Sequence, residues 1–222
     1  MDESTVELIK SSLGPLTEGM IKGTLPLTAI SFVLGLALAL VVALMRLSPF
    51  WPVSAIARAF VSVIRGTPLL VQLFIIFYGL PSLGATIDPY PSACIAFTLN
   101  VGGYAAEIIR AAILSVPRGQ WEAASTVGMD YPTTMRRIVL PQASRVAVPP
   151  LSNTLISLVK DTSLASTILV SETMRKAAEL AAPTFEFFTL YMVAAVYYWV
   201  VCLVLSFAQT RLETRLDRYV AS

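Results

Sequence analysis

Long stretches of the chain carry no charged residue, and these gaps set its architecture. Residues 25–45 form one such run, closed by Arg46. A second, 66–87, lies between Arg65 and Asp88, and a third, 89–106, ends at Glu107. A fourth, 187–210, lies between Glu186 and Arg211. Residues 146–159 are also uncharged; Lys160-Asp161 interrupts them and uncharged sequence resumes over 162–171, so 146 to about 170 is read as one further span. A hydrocarbon core about 30 Å thick is crossed by about 20 apolar helical residues. The pattern therefore predicts an all-α, polytopic membrane protein of about five transmembrane helices, with its termini on opposite sides.

Residues 1–19 differ. Val6, Ile9, Leu13, Leu16 and Met20 recur every three or four positions among Asp2, Glu3, Glu7, Lys10 and Glu18, the spacing of an amphipathic helix lying in the membrane interface. Gly14-Pro15 is expected to break or bend it. These charges leave no room for the apolar core of a secretory signal, so the first span is expected to serve as the membrane anchor.

Basic residues orient the spans. With the N-terminus outside, inner segments hold Arg46, Arg58, Arg65, Arg118, Arg136, Arg137, Arg145, Arg211, Arg215 and Arg218. Outer segments hold Lys10, Lys22, Lys160, Arg175 and Lys176. The asymmetry predicts N-terminus out and C-terminus in, with 211–222 a cytoplasmic tail.

Composition agrees and removes alternatives. Of 222 residues, 56% are hydrophobic and 14% charged, more apolar than one soluble core can hide. The net charge of +2, with no basic run, gives no reason to expect nucleic acid as a partner. With no histidine, Cys/His zinc sites and Ser-His or Cys-His catalysis are excluded, and no metal site is expected. Cys94 and Cys202 sit in apolar runs, as small hydrophobes do.

The inner loop, about 116–145, is polar but studded with Trp121, Val127, Met129, Met135, Ile138 and Leu140. Gly119-Gln120 opens a short helix through Glu122-Ala123-Ala124, and Gly128 ends it, since glycine enters the left-handed region at little cost. Asp130-Tyr131-Pro132 starts a second helix that Pro141 is expected to stop. Glu122-Ala123-Ala124, Gly128, Ile138 and Leu140-Pro141, with nine residues between Gly128 and Ile138, resemble the EAA loop of ABC importer permeases. Further stretches resemble the polar amino-acid branch of that family: Arg65-Gly66-Thr67-Pro68-Leu69 with Gln72-Leu73-Phe74, Tyr104-Ala105-Ala106-Glu107 with Arg110, and residues 158–164. The likeness covers about 20–210 and is strongest to permeases of bacterial L-cystine transporters.

The resemblance implies a type I importer fold over 20–210, in the bacterial inner membrane, with Glu122, Ala123, Ala124, Gly128, Ile138, Leu140 and Pro141 coupling it to an ATPase. It implies an ABC ATPase dimer carrying ATP and Mg, a second permease copy or paralogue, and an extracytoplasmic amino-acid-binding protein. The chain contains no Gly-Lys pair, hence no phosphate-cradling G-x-x-x-x-G-K-[ST] loop, and no cofactor is expected on it. The implied activity is transport of L-cystine or another polar amino acid, not an enzymatic reaction on this chain.

Intramembrane charges cost several kcal/mol by insertion scales and need a reason. Glu107 and Arg110, three apart, share a helix face: they pair structurally or line the inner vestibule. Lys160 and Asp161 point about 100° apart, so one of them faces a polar interior, touching substrate or a gate, or a structural partner. Asn100, Gly102 and Gly103 mark close helix packing or a local opening, with Tyr104 beside it as a wall. Asn100, Tyr104, Glu107, Arg110, Lys160 and Asp161 are thus the candidate substrate pathway. Glu107 and Asp161 leave a secondary transporter open as the rival reading; a membrane-embedded enzyme lacks any nucleophile–base pair.

Overall fold

The computed structural model describes residues 3–217. Asp2 and Arg218, both used in the charge readings, lie outside the described residues, as does the rest of the tail beyond 217.

Every regular element among the described residues is helical. The helices are α1 (Glu3–Glu18), α2 (Leu25–Leu47), α3 (Trp51–Gly66), α4 (Leu69–Phe74) and α5 (Pro89–Leu114). They continue with α6 (Arg118–Thr126), α7 (Tyr131–Thr134), α8 (Leu140–Asp161), α9 (Thr173–Thr184) and α10 (Phe187–Asp217). Three unbroken stretches, Thr5–Leu47, Pro89–Leu114 and Phe187–Arg215, are long and apolar enough to cross a membrane. Two bent pairs, Trp51–Gly66 with Leu69–Leu83 and Tyr131–Ile168 with Thr173–Thr184, raise the number of candidate spans to five.

The uncharged run 66–87 begins at a bend, where α3 and the Leu69–Leu83 stretch meet at 106°. Thr67 and Pro68 are extended between α3 and α4, because a proline ring excludes the α conformation from the residue before it.

Neither Gly14-Pro15 nor Pro141 interrupts its helix: α1 runs through the first, and the helix that starts at Tyr131 continues past the second. Wide π turns occupy Gly19–Thr24, Ile75–Gly79 and Met135–Val139, and each is followed at once by a Leu-Pro pair: Leu25-Pro26, Leu80-Pro81 and Leu140-Pro141. In each, the leucine N–H bonds the carbonyl five residues back: Met20, Ile75 and Met135. A helix-interior proline ordinarily costs about 3 kcal/mol, partly through collision of its ring with the carbonyl four residues earlier. The wider turn displaces that carbonyl, so the chain continues.

The core is built on α2 and α5. Small residues let the two backbones close: a Cβ on Gly35 would stand 2.5 Å from Val101 Cγ1, and one on Gly102 would stand 2.6 Å from Leu38 Cδ2. Gly103 performs the same service for α3, where Ile64 Cγ2 would lie 2.5 Å from an added Cβ. Of the two readings of Gly102-Gly103, close packing is the one found. Around this seam Leu27, Leu73, Phe97, Val101, Leu158 and Ile168 form one buried cluster.

Helix α1 packs Leu16 against Ala177 of α9 and Ala194 of α10. Glu172 anchors the same corner. Fully buried, its carboxylate accepts from the N–H groups of Met174 (2.9 Å) and Arg175 (2.7 Å) at the start of α9, and from the Tyr198 hydroxyl of α10. These donors offset the desolvation an unpartnered buried carboxylate would incur.

Candidate functional site

The break between α3 and α4 leaves a polar pocket of about 430 Å³ against α5 and α8. Thr67, Pro68 and Leu69 form one wall, Asn100 and Tyr104 of α5 another, and Asn153, Thr154, Ser157 and Asp161 of α8 the third. Pro150 helps place the α8 groups: lacking an N–H, it leaves the Val146 carbonyl without its helical donor. One turn on, the Thr154 hydroxyl donates to the Pro150 carbonyl at 2.9 Å.

Gln72 sets the geometry of the opposite wall. Its buried amide donates to Ile64 O (2.8 Å) and to Thr67 Oγ1 (2.9 Å), tying together the ends of the bend. Its Oε1 accepts from Asn100 Nδ2 at 3.2 Å. One of the two Asn100 N–H donors is thereby engaged, and its carbonyl oxygen can accept from a ligand. Asp161 is the one formally charged residue lining the pocket, and it ends α8. The Asp161 carboxylate therefore favours a cation there.

Of the six pathway candidates, Asn100, Tyr104 and Asp161 converge on this pocket. Glu107, Arg110 and Lys160 do not line it. Glu107 pairs with Arg110, whose Nε lies 3.1 Å from Oε1, and also with Arg46 at the end of α2. The structural pairing foreseen for Glu107 and Arg110 is present, with Arg46 as a third member that the sequence did not disclose. Lys160 is exposed, turned away from its neighbour as the 100° offset requires. Arg65 holds its guanidinium 5.5 Å from the centre of the Tyr104 ring, at cation–π range, and fixes that wall.

The second site is the loop between α5 and α8. Gly128 follows α6 with φ +78°. Its N–H bonds Ser125 O at 3.0 Å, and the Met129 N–H bonds Ala124 O at 3.0 Å. This pair of bonds is the Schellman closure, which satisfies carbonyls otherwise orphaned at the helix end. Asp130 then caps α7, its Oδ1 accepting from the Thr133 N–H at 3.2 Å. The two bonds with Thr133 hold its carboxyl below the usual carboxylate range, the side-chain one foremost. Trp121 stacks on Tyr131 with ring centres 6.0 Å apart, clamping α6 to α7.

Ala124 is buried within the loop, whereas Glu122, Ala123, Gly128, Leu140 and Pro141 are exposed and Ile138 is half-buried. Two apolar groups absent from the predicted coupling set stand out here: Val127 is 73% exposed and Tyr131 64% exposed. Gln72 and Thr154 were likewise missed for the pocket. Gln72 had one signal in the sequence, a lone amide in an apolar run; Thr154 had none.

The family model for the inner membrane component of binding-protein-dependent transport systems matches residues 25–218. The chain is 56% identical over 216 residues to the L-cystine transport system permease protein TcyB of Bacillus subtilis (strain 168), covering 97% of this chain and 92% of that protein. It is 40% identical over 208 residues to the probable amino-acid ABC transporter permease protein YckA of the same organism, covering 90% of each. A crystal structure of an amino acid ABC transporter with histidines contains a chain that matches with a TM-score of 0.90 at 34% identity, covering 97% of this chain and 100% of that one.

Proposed function

The chain belongs to the inner membrane components of binding-protein-dependent transport systems, as a permease subunit of an amino-acid ABC importer, and from that premise we propose that it carries L-cystine through the pocket between α4, α5 and α8. The observation that supports this most is the convergence of Asn100, Tyr104 and Asp161, from two helices, on one polar cavity inside an otherwise apolar bundle. An amino acid presents an ammonium and a carboxylate. The ammonium is matched by Asp161 and the Asn100 carbonyl. The Ser157 hydroxyl offers a donor to the carboxylate.

The remaining assembly follows from the same premise. An ABC ATPase dimer holds ATP and Mg and docks against the loop of Glu122, Ala123, Ala124, Gly128, Ile138, Leu140 and Pro141, with Val127 and Tyr131 supplying apolar contact. A second permease copy or paralogue completes the passage. An extracytoplasmic binding protein delivers the amino acid. The N-terminus lies outside and the coupling loop inside, as the arginine asymmetry requires.

The test is uptake of labelled cystine, histidine and glutamine by vesicles containing the permease reconstituted with its ATPase and binding protein. Cystine is expected to be taken up in preference. Asp161→Asn is expected to lower uptake by about tenfold, the loss of one charge-assisted hydrogen bond, while the ATPase still co-purifies. Uptake by the Asn variant equal to that of the native chain would remove Asp161 from the pathway, and transport of a sugar with no amino acid carried would overturn the substrate class.

A further inference from the structure

The polar pocket is short of donors for a carboxylate. Thr67 and Thr154 spend their hydroxyl protons on backbone carbonyls, Val63 O at 2.8 Å and Pro150 O at 2.9 Å. Asn100 commits one of its N–H donors to Gln72. Among the described residues no lysine or arginine lines the cavity. Of the remaining lining groups, Asn153 has a side-chain amide whose orientation is dictated from another helix.

Three side chains form a chain of hydrogen bonds that ends at Asn153. Glu213 Oε1 accepts from Gln209 Nε2 at 2.8 Å, one turn earlier on α10. A carboxylate only accepts, so the nitrogen of the Gln209 amide, and not its oxygen, faces Glu213. The same nitrogen donates its second hydrogen to Asn153 Oδ1 at 3.2 Å, across to α8. The Asn153 amide is thereby fixed with its oxygen toward α10. Its Nδ2 makes no hydrogen bond among the described residues and is left for the pocket that Asn153 lines. Glu213 lies beyond the uncharged run 187–210, so the chain of bonds starts at the membrane surface and ends in the cavity.

Asn153, Ser157 and Asp161 stand four positions apart and form one row on α8, about 12 Å long at 1.5 Å per residue. The row has an aimed donor at one end and a carboxylate at the other. L-cystine carries an ammonium and a carboxylate at each of its two ends. The α-carbons of a disulfide-linked pair stand about 5.5 Å apart, and its terminal groups span about 10 Å when extended. A single amino acid holds both groups on one carbon and does not reach both ends of the row.

We propose that Asn153 binds the carboxylate at one end of a disulfide-linked amino acid whose other end sets its ammonium on Asp161, and that Gln209 and Glu213 are positioning residues that aim the Asn153 donor. The inference rests on the reading that this pocket carries cystine. It adds to that reading the group that tells a two-headed amino acid from a single one.

Equilibrium dialysis of labelled cystine against the permease reconstituted with its ATPase in lipid discs, with cystamine as competitor, reads this contact. Cystamine keeps both ammoniums and the disulfide and lacks both carboxylates. The native complex is expected to bind cystine about tenfold more tightly than cystamine, the difference of one charge-assisted hydrogen bond. Asn153→Asp is isosteric and still accepts from Gln209, but it presents no N–H to the pocket. It should weaken cystine about tenfold and leave cystamine no weaker. Gln209→Glu removes the donor that holds Asn153 Oδ1, so the Asn153 amide turns over and presents its oxygen to the pocket; the same split between the two ligands is expected. A purely structural role for either residue would weaken both ligands alike, and that result overturns the proposal. Asp161→Asn should weaken both, since both carry the ammonium. Cystine that binds the native complex and is weakened by Asp161→Asn, but not by Asn153→Asp, overturns this inference and leaves the transport reading standing. No binding of cystine by the native complex removes both.

Discussion

Gly128 offers the sharpest test of how the coupling loop is held. Its φ of +78° lies in the left-handed region, and no atom stands within 4 Å of an added Cβ. A substitution there therefore meets no clash, and its whole cost is backbone conformation. For a residue with a Cβ that cost is roughly 1–2 kcal/mol. Asparagine tolerates the region best among them, and a β-branched side chain tolerates it least. The turn is closed by two hydrogen bonds, Gly128 N–H to Ser125 O and Met129 N–H to Ala124 O, so the penalty falls on the relation of α6 to α7. A penalty of 1–2 kcal/mol lowers the population of the closed turn about 5–30-fold. Discs carrying Gly128→Asn, Gly128→Ala and Gly128→Val should bind the ATPase subunit progressively more weakly in that order. Amide exchange at Met129 should rise in the same order, and this readout does not depend on the partner. Binding by Gly128→Val within about twofold of the native chain, with Met129 equally protected, would refute the argument that the left-handed turn positions the docking surface.

Two further perturbations probe the frame and the loop. Gly35→Ala places a Cβ 2.5 Å from Val101 Cγ1 across the α2–α5 seam and should destabilise the chain by about 1–3 kcal/mol, an overpacking cost. Val101→Ala added to it should restore part of the loss, read as thermal melting in detergent, and additive losses would count against this contact. Asp130 titrates below the usual carboxylate range because the folded loop holds its charged form through Thr133. A lowered folded pKa means that its contribution is complete above the unfolded value of about 3.9 and is lost as pH falls through the lower folded value. The protection factor of the Thr133 amide should thus stay level from neutral pH to about 4 and fall only below it, whereas Asp130→Asn should show no such fall.

What was legible in the sequence is what depends on neighbours along the chain. Five charge-poor runs mark the candidate spans because bilayer insertion penalises charge residue by residue. The end of α6 at Gly128 and the start of α7 at Asp130 were legible because capping involves groups within four positions of each other. Proline was the local signal that misled. Pro141 read as the end of the second loop helix, yet Leu140-Pro141 lies within an unbroken stretch, because a π turn absorbs the proline. That turn is a choice of backbone spacing rather than of residue type.

Tertiary structure alone decided which side chains meet. Arg46 reaches Glu107 across 61 positions, and Gln72 reaches Asn100 across 28. Those distances along the chain close only because Gly35 and Gly102 let α2 and α5 interlock, and because Thr67-Pro68 turns α4 back at 106°. The same packing brought Asp161 to the polar pocket and left Lys160 outside it. The sequence established that the two point apart, since adjacent helical residues differ by about 100°. Only the rotation of α8 against its neighbours, fixed by close packing of side chains along its whole length, could say which of them faces inward.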